Sequence, residues 1–346
     1  MAVSNEAIPA PRSRARVRAD QVVSTLSRVR ELGLVFALLL IVVIVGFQQP
    51  RFVSPNNIRQ ILEAVSILGV LAVGQTLVVL TRNVDLSVAS IVGLVAYVAG
   101  DLFKQNPGIS VGLVIGLVLL MGLGLGAING LLVTYGQVPA IVATLGTLYV
   151  YRGIDYLIAS GQQITVSDVP DAYRAIAGAE LFAIPLPIVI TAVIVLIATY
   201  VLRYTRFGRQ LYAVGSNPEA ARIVGLQRDQ VVFAAFALSG LLAAVGGILW
   251  GAKFGAVDAR AAYGYELQVV AAVVVGGVNI FGGVGTVIGA VLGAIVLGSI
   301  QNALTILRLN PFWLQAISGG VILLAVLIDA LITRRLQRML MARRQR

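Results

Sequence analysis

The sequence predicts an all-α polytopic membrane protein with about ten transmembrane helices and both termini in the cytoplasm. Of the 346 residues, 58% are hydrophobic and only 12% are charged, whereas a soluble domain carries about 25% charged residues. Many of the 37 glycines fall within apolar stretches, where they let the backbones of membrane helices approach closely. The third observation is a series of apolar runs, most of them close to the roughly 20 residues that cross a bilayer.

The first apolar run, GLVFALLLIVVIVGF, follows a polar, arginine-rich arm at residues 1–31. We predict that this run is retained as the first transmembrane helix. A signal peptide is the alternative, but the arm is long for one, and Gln48, Gln49 and Pro50 lack the small residues of a cleavage site.

Nine further apolar segments complete a predicted membrane domain at residues 32–333, which a basic tail follows at 334–346. The segment at 265–279 is short, so nine or eleven spans are the alternatives to ten. With both termini inside and ten spans, 18 of the 26 Lys and Arg residues lie on the cytoplasmic side, as the positive-inside rule requires. The nine segments are 61–81, 86–103, 110–133, 139–159, 184–203, 231–251, 265–279, 285–306 and 313–333.

A weak internal repeat relates two of these segments. Each carries three glycines spaced four residues apart, and in each case the next segment starts just after a proline. An offset of five helices inverts orientation, as in transporters built from inverted repeats; the alternative is that spaced glycines only pack helices. The residues are Gly122, Gly126, Gly130 and Pro139 in the first half, and Gly285, Gly289, Gly293 and Pro311 in the second.

The residue types that are absent exclude several functions. The sequence has no Cys and no His, which removes disulfides, thiol nucleophiles, Ser-His-Asp triads and the usual zinc ligand sets. It also has no GxxxxGK[ST] phosphate loop, and its glycine clusters lack GxGxxG spacing. We therefore expect no catalytic residue, no metal site and no bound cofactor. The net charge of +11 lies in the tails and one loop, which indicates membrane lipid as the partner of these charges and not nucleic acid.

The longest polar interruption on the inner side, residues 204–230, is predicted to hold a short helix. Asn217 suits the N-cap, Pro218 the first helical position, and Glu219 the positive end of the helix dipole, while Gly225 can end the helix. Such a helix is either a docking surface or an amphipathic helix that lies on lipid.

The triplet Glu219-Ala220-Ala221, followed by Gly225, resembles the EAA-type coupling loop of bacterial ATP-binding-cassette (ABC) importer permeases. Three longer runs resemble, in order, the permeases for ribose, xylose, rhamnose and autoinducer-2, and the resemblance covers about residues 34–333. The runs are GQTLVVLTRNVDLSVASIVG, NGLLVTYGQVPAIVATLGTLYVYRGI and YELQVVAAVVVGGVNIFGGVGTVIGAVLGA.

Two stretches depart from the ribose-type pattern. Ala89-Ser90 follows DLSV where the family often has Gly-Ser, and Thr81-Arg82-Asn83 stands where ribose-type members more often have small residues. The second stretch, together with NPFW at 310–313, looks closer to the rhamnose and autoinducer-2 branches.

The resemblance implies a permease subunit that imports a small neutral carbohydrate across the bacterial inner membrane: rhamnose first, autoinducer-2 second, then ribose or xylose. It implies three protein partners: an ABC ATPase that holds the ATP and magnesium, a second permease subunit of the same or another chain, and a periplasmic solute-binding protein. In this family the short helix of the loop sits in a groove of the ATPase. The loop residues concerned are Asn217, Pro218, Glu219, Ala220, Ala221, Arg222 and Gly225.

Asp85 is the most unusual polar residue of the predicted spans, because a carboxylate at the centre of a membrane helix costs about 2.5–3.5 kcal/mol on insertion scales. Either Arg82 pairs with it, or Asp85 caps a helix that starts at Leu86 near the cytoplasmic edge, where the cost is small. We favour the cap. Further candidates for contact with a polyol are Gln75, Asn83, Asn129, Thr144, Asn279, Phe281 and Asn302, although such polar groups more often tie helices together, at about 0.6 kcal/mol each.

The outer loops 160–183 and 252–264 are predicted to dock the binding protein. Their carboxylates Asp171, Glu180 and Asp258 are suited to pairing with basic residues of that partner. An ion-coupled secondary transporter of a small polar solute is the alternative function. It would need embedded Asp, Glu or His as ion relays, for which Asp85 and Glu63 are almost the only candidates.

Overall fold

The computed structural model describes residues 14–310, 312–324 and 327, with side chains from residue 31 onward. The described chain is predominantly helical, which confirms the predicted fold class. The tail at 334–346 and the first part of the basic arm lie outside the described residues. The helices are α1 (Arg14–Gln48), α2 (Pro55–Leu80), α3 (Val88–Gln105), α4 (Val111–Thr134), α5 (Ala140–Ala159), α6 (Asp171–Gly178), α7 (Leu186–Tyr204), α8 (Arg206–Ser216), α9 (Pro218–Ile223), α10 (Arg228–Phe254), α11 (Tyr265–Val275), α12 (Val287–Ile306) and α13 (Trp313–Leu324).

Seven helices within the described residues are long and apolar enough to cross a membrane, so the chain is a multi-pass membrane protein. These are α1 (from Glu31), α2, α3, α4, α7, α10 and α12. The helix α5 has 20 residues but contains Arg152 and Asp155, and α11 has only 11 residues. The predicted total of ten requires α5, α11 and α13 to complete the set, and it stays a prediction, as does the location of the termini.

The bundle is built around α2, α3 and α10. Of their spans, 83%, 72% and 67% are buried, whereas α1, α4 and α7 have 11%, 22% and 17% buried. The outer helices expose large apolar side chains such as Leu39, Leu120 and Leu196. In water such a surface would be unstable, but hydrocarbon solvates it, so the burial pattern agrees with a lipid-embedded ring around a packed centre.

The predicted glycine series is a packing surface. A Cβ added at Gly126 would collide with Phe236 O and lie 2.8 Å from Gly240 Cα on α10, which packs more extensively on α4 than on any other helix. A Cβ at Gly293 would likewise collide with Ala272 O of α11. Close backbone approach therefore explains both series without a repeat. In the predicted repeat, an offset of five membrane helices would relate the pair α4–α10 to the pair α12–α2. The inverted repeat itself stays a prediction.

Two non-helical segments interrupt the centre of the bundle and meet on one side of it. The first, residues 81–87, joins α2 to α3, and the second, residues 276–286, joins α11 to α12. Gly283 N of the second segment donates a hydrogen bond of 3.0 Å to Leu80 O, at the end of α2 just before the first segment. The second segment turns sharply because four of its glycines, Gly277, Gly282, Gly283 and Gly285, have positive φ. The helices α8 and α9, which form the loop predicted to be cytoplasmic, lie on this same side.

The opposite side carries the predicted outer loops. The helix α6 and a two-stranded hairpin, β1 (Glu180–Leu181) and β2 (Ile184–Pro185), follow α5. A bridge between Ile164 and Val257 joins the two outer loops. Directly after Ile164, the backbone N–H and the hydroxyl of Thr165 donate to the Asp168 carboxylate. These hydrogen bonds hold the pKa of that carboxyl below its usual value. The loops therefore form one connected surface.

Candidate functional site: a coupling loop and a buried polar network

The loop predicted to be cytoplasmic forms the short helix that its sequence predicts. Asn217 is the N-cap of α9, and its side chain accepts a hydrogen bond of 3.0 Å from Ala220 N. Pro218 occupies the first turn, where no N–H is needed. Gly225, with φ of +80°, lies just past the end of the helix. The longer helix α8 precedes α9, and its start is capped by Thr205, which accepts from Gly208 N.

The outward surface of α9 combines charge with exposed apolar residues. Glu219 and Arg222 are exposed, while Ala221 is buried and anchors the helix. Ile223 and Val224 are 85% and 74% exposed. Sequence reasoning did not single out these two, although a pair of β-branched apolar residues in an otherwise polar loop was the available signal. Exposed apolar side chains beside charges are typical of a surface that a partner covers.

A cleft of about 620 Å³ lies beside α9. Its walls come from the turn between α4 and α5, from α9, and from the start of α10. It presents carboxylates and guanidinium groups together, so it suits a partner with mixed charge. The lining residues include Tyr135, Gln137, Glu219, Arg222, Arg228 and Asp229.

Asp85 is completely buried at the centre of a hydrogen-bonded network. Its Oδ1 accepts from Ser87 N at 3.0 Å and from the Ser87 hydroxyl at 2.7 Å. Its Oδ2 accepts from the hydroxyl of Ser239 on α10 at 3.1 Å. The side-chain amide of Gln75 on α2 is oriented so that both of its polar atoms have partners. Its nitrogen donates to Asp85 O at 3.1 Å, and its oxygen accepts from Asp85 N at 3.2 Å. The network thus fixes both the side chain and the backbone of Asp85.

The network continues into α4 and α5. Asn129 donates to the Ser87 hydroxyl at 2.7 Å and accepts from the Thr147 hydroxyl at 2.7 Å. Thr144 donates to Val84 O at 3.2 Å. Four helices, α2, α4, α5 and α10, are therefore tied to the residues between α2 and α3, and these polar groups use their hydrogen bonds on one another.

Two predictions about Asp85 are wrong. The helix α3 begins at Val88, not at Leu86, and Ser87 is its N-cap residue, so Asp85 does not cap it; instead Asp85 accepts from the N–H two residues ahead. Arg82 is not the partner of Asp85, because its guanidinium donates to Gly215 O and Ser216 O of α8. The cost of burying this carboxylate is offset by hydroxyl and amide donors, which a local reading of the sequence does not show.

The other candidates for a substrate path lie in three different places. Asn83 donates to Thr81 close to the network. Asn279 accepts from Phe281 N within the turn between α11 and α12, where Phe281 is half exposed. Asn302 exchanges hydrogen bonds of 3.0 and 3.1 Å with Asn57 at the far end of α2. The structure brings Gln75, Asp85, Asn129 and Thr144 together, and it does not bring the remainder to the same place.

The three predicted docking carboxylates are surface groups with partners in their own chain. Asp171, whose side chain is 91% exposed, pairs with Arg174. Glu180 pairs with Arg59. Asp258 accepts a hydrogen bond of 3.0 Å from the backbone two residues ahead. Their role as a dock stays a prediction.

A buried pair of charges on α5 was missed by sequence reasoning. Arg152 and Asp155 lie 3.7 Å apart and are almost fully buried. The guanidinium donates to Ala259 O at 3.1 Å, to Ala261 O at 2.8 Å and to Ala89 O at 3.4 Å. Arg152 therefore ties α5 to α3 and to an outer loop. Two opposite charges three residues apart inside a predicted span were the signal that could have found the pair.

The fold and this internal network define a helical, multi-pass membrane protein with a structured loop displayed on one face. The chain belongs to the family described as "Branched-chain amino acid transport system / permease component", which matches residues 57–326. Its class is therefore that of membrane permease components, as the resemblance predicted.

Curated relatives cover most of the chain. It is 37% identical over 295 residues to the ribose import permease protein RbsC of Haemophilus influenzae, which is 85% of this chain and 91% of the relative. It is 38% identical over 299 residues to the autoinducer 2 import system permease protein LsrC of Escherichia coli O9:H4, which is 86% of each chain. The LsrC protein of Yersinia enterocolitica is 38% identical over 300 residues, 86% of this chain and 82% of the relative. No solved structure matches the chain.

Proposed function

We propose that this protein is the membrane-spanning permease subunit of an ABC importer in the bacterial inner membrane, and that it moves a small neutral carbohydrate delivered by a periplasmic binding protein. ATP and magnesium belong to a partner ATPase, and a second permease subunit completes the pathway. The observation that carries the proposal is α9: a capped helix of six residues that displays Glu219, Arg222, Ile223 and Val224.

The geometry of α9 favours a protein partner over a lipid surface. Its exposed apolar residues are confined to the last turn, and exposed charges precede them. A cleft of about 620 Å³ with both signs of charge adjoins it. An amphipathic helix on lipid needs a long apolar face and a basic polar face, and α9 has neither.

The names of the curated relatives support a neutral carbohydrate as the substrate. The relatives are named for ribose and autoinducer 2 import. The family description names branched-chain amino acids, but the named relatives that match most of this chain carry more weight for the substrate. Autoinducer-2 and ribose are supported in this way, and rhamnose rests on the sequence resemblance alone.

A charge reversal on α9 tests the proposal. Glu219→Lys should leave membrane insertion intact and weaken association with the partner ATPase by at least about tenfold, because a like-charge or unpaired contact at an interface costs several kcal/mol. Gly225→Trp should act similarly, since a bulky residue is strained at a φ of +80°. The measurement is co-purification of the ATPase with the permease, together with ATP-driven uptake in vesicles.

The matched control is Asp171→Lys, the same charge reversal at an exposed carboxylate on the opposite face. It should leave ATPase association at the wild-type level. Normal association and uptake in Glu219→Lys and Gly225→Trp would remove the role assigned to α9.

A further inference from the structure

Arg82 has a backbone conformation that usually belongs to glycine. Its φ is +67°, and it directly follows Thr81, the C-cap of α2. Its N–H donates to Val79 O at 3.0 Å, and Asn83 N–H donates to Val78 O at 3.4 Å. This is the Schellman pattern of helix ends, in which glycine is preferred at the Arg82 position because a Cβ is unfavourable there. An arginine at such a site is explained by its side chain and not by its backbone.

The side chain of Arg82 reaches the root of the coupling helix. Its Nε donates to Gly215 O, and its Nη2 donates to Ser216 O at 2.9 Å. These are the last two residues of α8, where helix carbonyls lack intrahelical partners and carry the negative end of the dipole. Ser216 is bonded to Asn217, the N-cap of α9. The guanidinium therefore holds the residue directly before the N-cap of α9.

Close packing places the end of α8 against its neighbours beside Arg82. A Cβ on Gly215 would overlap Leu80 O and would lie 2.5 Å from Gly283 N, so no larger residue fits between these backbones. The hydroxyl of Tyr212 on α8 donates to Gly285 O at 2.8 Å. The end of α8 is thus seated on the end of α2 and on the turn between α11 and α12.

The same short segment that carries Arg82 also carries the buried network. Three residues after Arg82, Asp85 accepts from Ser239 on α10, and two further on, Ser87 accepts from Asn129 on α4. Residues 81–87 therefore contact the coupling loop at one end and the interior of the membrane domain at the other.

We propose that Arg82 is a positioning residue that transmits displacement of α9 to residues 81–87 and, through Asp85 and Ser87, to α4 and α10. The proposal rests on the proposed function, since it takes α9 to be the element that the ATPase moves. In this role the guanidinium passes movement of α9 to residues 81–87 through its hydrogen bonds to the last two carbonyls of α8. Arg82 does not need to contact the substrate.

The variant Arg82→Gly tests this role because glycine favours the observed backbone conformation, so the fold is retained while the clamp is removed. In proteoliposomes with the ATPase and the binding protein, substrate uptake per ATP hydrolysed should fall about tenfold or more, which is a usual size for coupling between sites. The ATPase should co-purify at the wild-type ratio. Arg82→Lys keeps a charged donor and should restore part of the coupling.

Arg308 offers a matched control at the end of α12. Its φ is +56°, and the same pattern forms there, with Arg308 N–H donating to Thr305 O at 3.1 Å and Leu309 N–H donating to Leu304 O at 2.8 Å. Among the described residues its side chain makes no hydrogen bond and no ion pair. Arg308→Gly should therefore leave uptake per ATP unchanged.

A second measurement separates this inference from the proposed function. In the free permease, without any ATPase, amide hydrogen exchange of residues 83–87 and 217–224 should accelerate together in Arg82→Gly by about tenfold or more, since a lost clamp raises local opening. Arg308→Gly should not change this exchange.

Unchanged exchange in Arg82→Gly, or wild-type uptake per ATP in that variant, would overturn the inference. Loss of ATPase binding in Arg82→Gly would also overturn it, because Arg82 would then be needed to assemble the permease with the ATPase. If the wild-type complex showed no ATP-driven uptake, the proposed function would be refuted. The exchange experiment would still test the link between residues 81–87 and α9.

Discussion

Asp85 shows how a carboxylate is accommodated inside this membrane domain. It accepts three hydrogen bonds, two from Ser87 and one from Ser239, and its backbone pairs with the side chain of Gln75. All of these donors are neutral. The arrangement holds the residues between α2 and α3 in a fixed conformation, and it assigns Asp85 to structure and not to ion relay.

Substitutions at Asp85 distinguish these two roles. Asp85→Asn keeps an oxygen for Ser87 and places an amide against the Ser239 hydroxyl, which can accept, so stability and uptake should remain near wild type. Asp85→Leu leaves three buried donors without an acceptor, each at a cost of about 1–3 kcal/mol, so it should lower the free energy of unfolding by about 3 kcal/mol or more. Thermal unfolding in detergent and vesicle uptake measure both effects. Abolished uptake in a stably folded Asp85→Asn variant would assign Asp85 to proton or ion transfer.

At the scale of elements, the helices pack through small residues on one face and expose apolar residues on the other. Gly122 and Gly126 of α4 allow the backbone of α10 to approach, whereas Gly116 and Gly124 of the same helix have no atom within 4 Å of an added Cβ. The sequence predicts such a face from the spacing of its glycines, but it does not say which helix will cover it. That pairing depends on contacts between residues more than 100 positions apart.

A pair of substitutions on α4 tests the packing of α4 against α10. Gly126→Leu would collide with Phe236 O and Gly240 Cα, and backbone atoms cannot rotate away, so the free energy of unfolding should fall by about 3 kcal/mol or more. Gly124→Leu introduces the same side chain toward open space and should be tolerated. The yield of monodisperse protein in detergent and its thermal midpoint report the difference. Equal stability of the two variants would show that α4 and α10 are not packed as described.

Local sequence patterns predicted those parts of the molecule that depend on local chemistry. The fold class follows from composition and apolar runs, and α9 follows from Asn217, Pro218 and Gly225, whose roles depend on their immediate neighbours. The partners of Asp85, the clamp formed by Arg82, and the buried pair of Arg152 with Asp155 depend on distant helices, so no local pattern reveals them.

At the scale of the whole molecule, two connected surfaces lie on opposite sides of a helical bundle. One carries α8 and α9, seated on residues 81–87 and 276–286. The other carries α6, the hairpin and the loop that Arg152 holds through Ala259 O and Ala261 O. A permease subunit needs this arrangement, because its energy source and its substrate donor act from opposite sides of the membrane.

Reconstitution in lipid shows whether this chain moves its substrate only when an ATPase drives it. The permease, with its binding protein and either autoinducer-2 or ribose outside, is placed in proteoliposomes with and without the partner ATPase, and uptake is measured with ATP or with an imposed proton or sodium gradient. We predict uptake only when the ATPase and ATP are both present. Gradient-driven uptake in the absence of the ATPase would contradict this account and would show an ion-coupled secondary transporter.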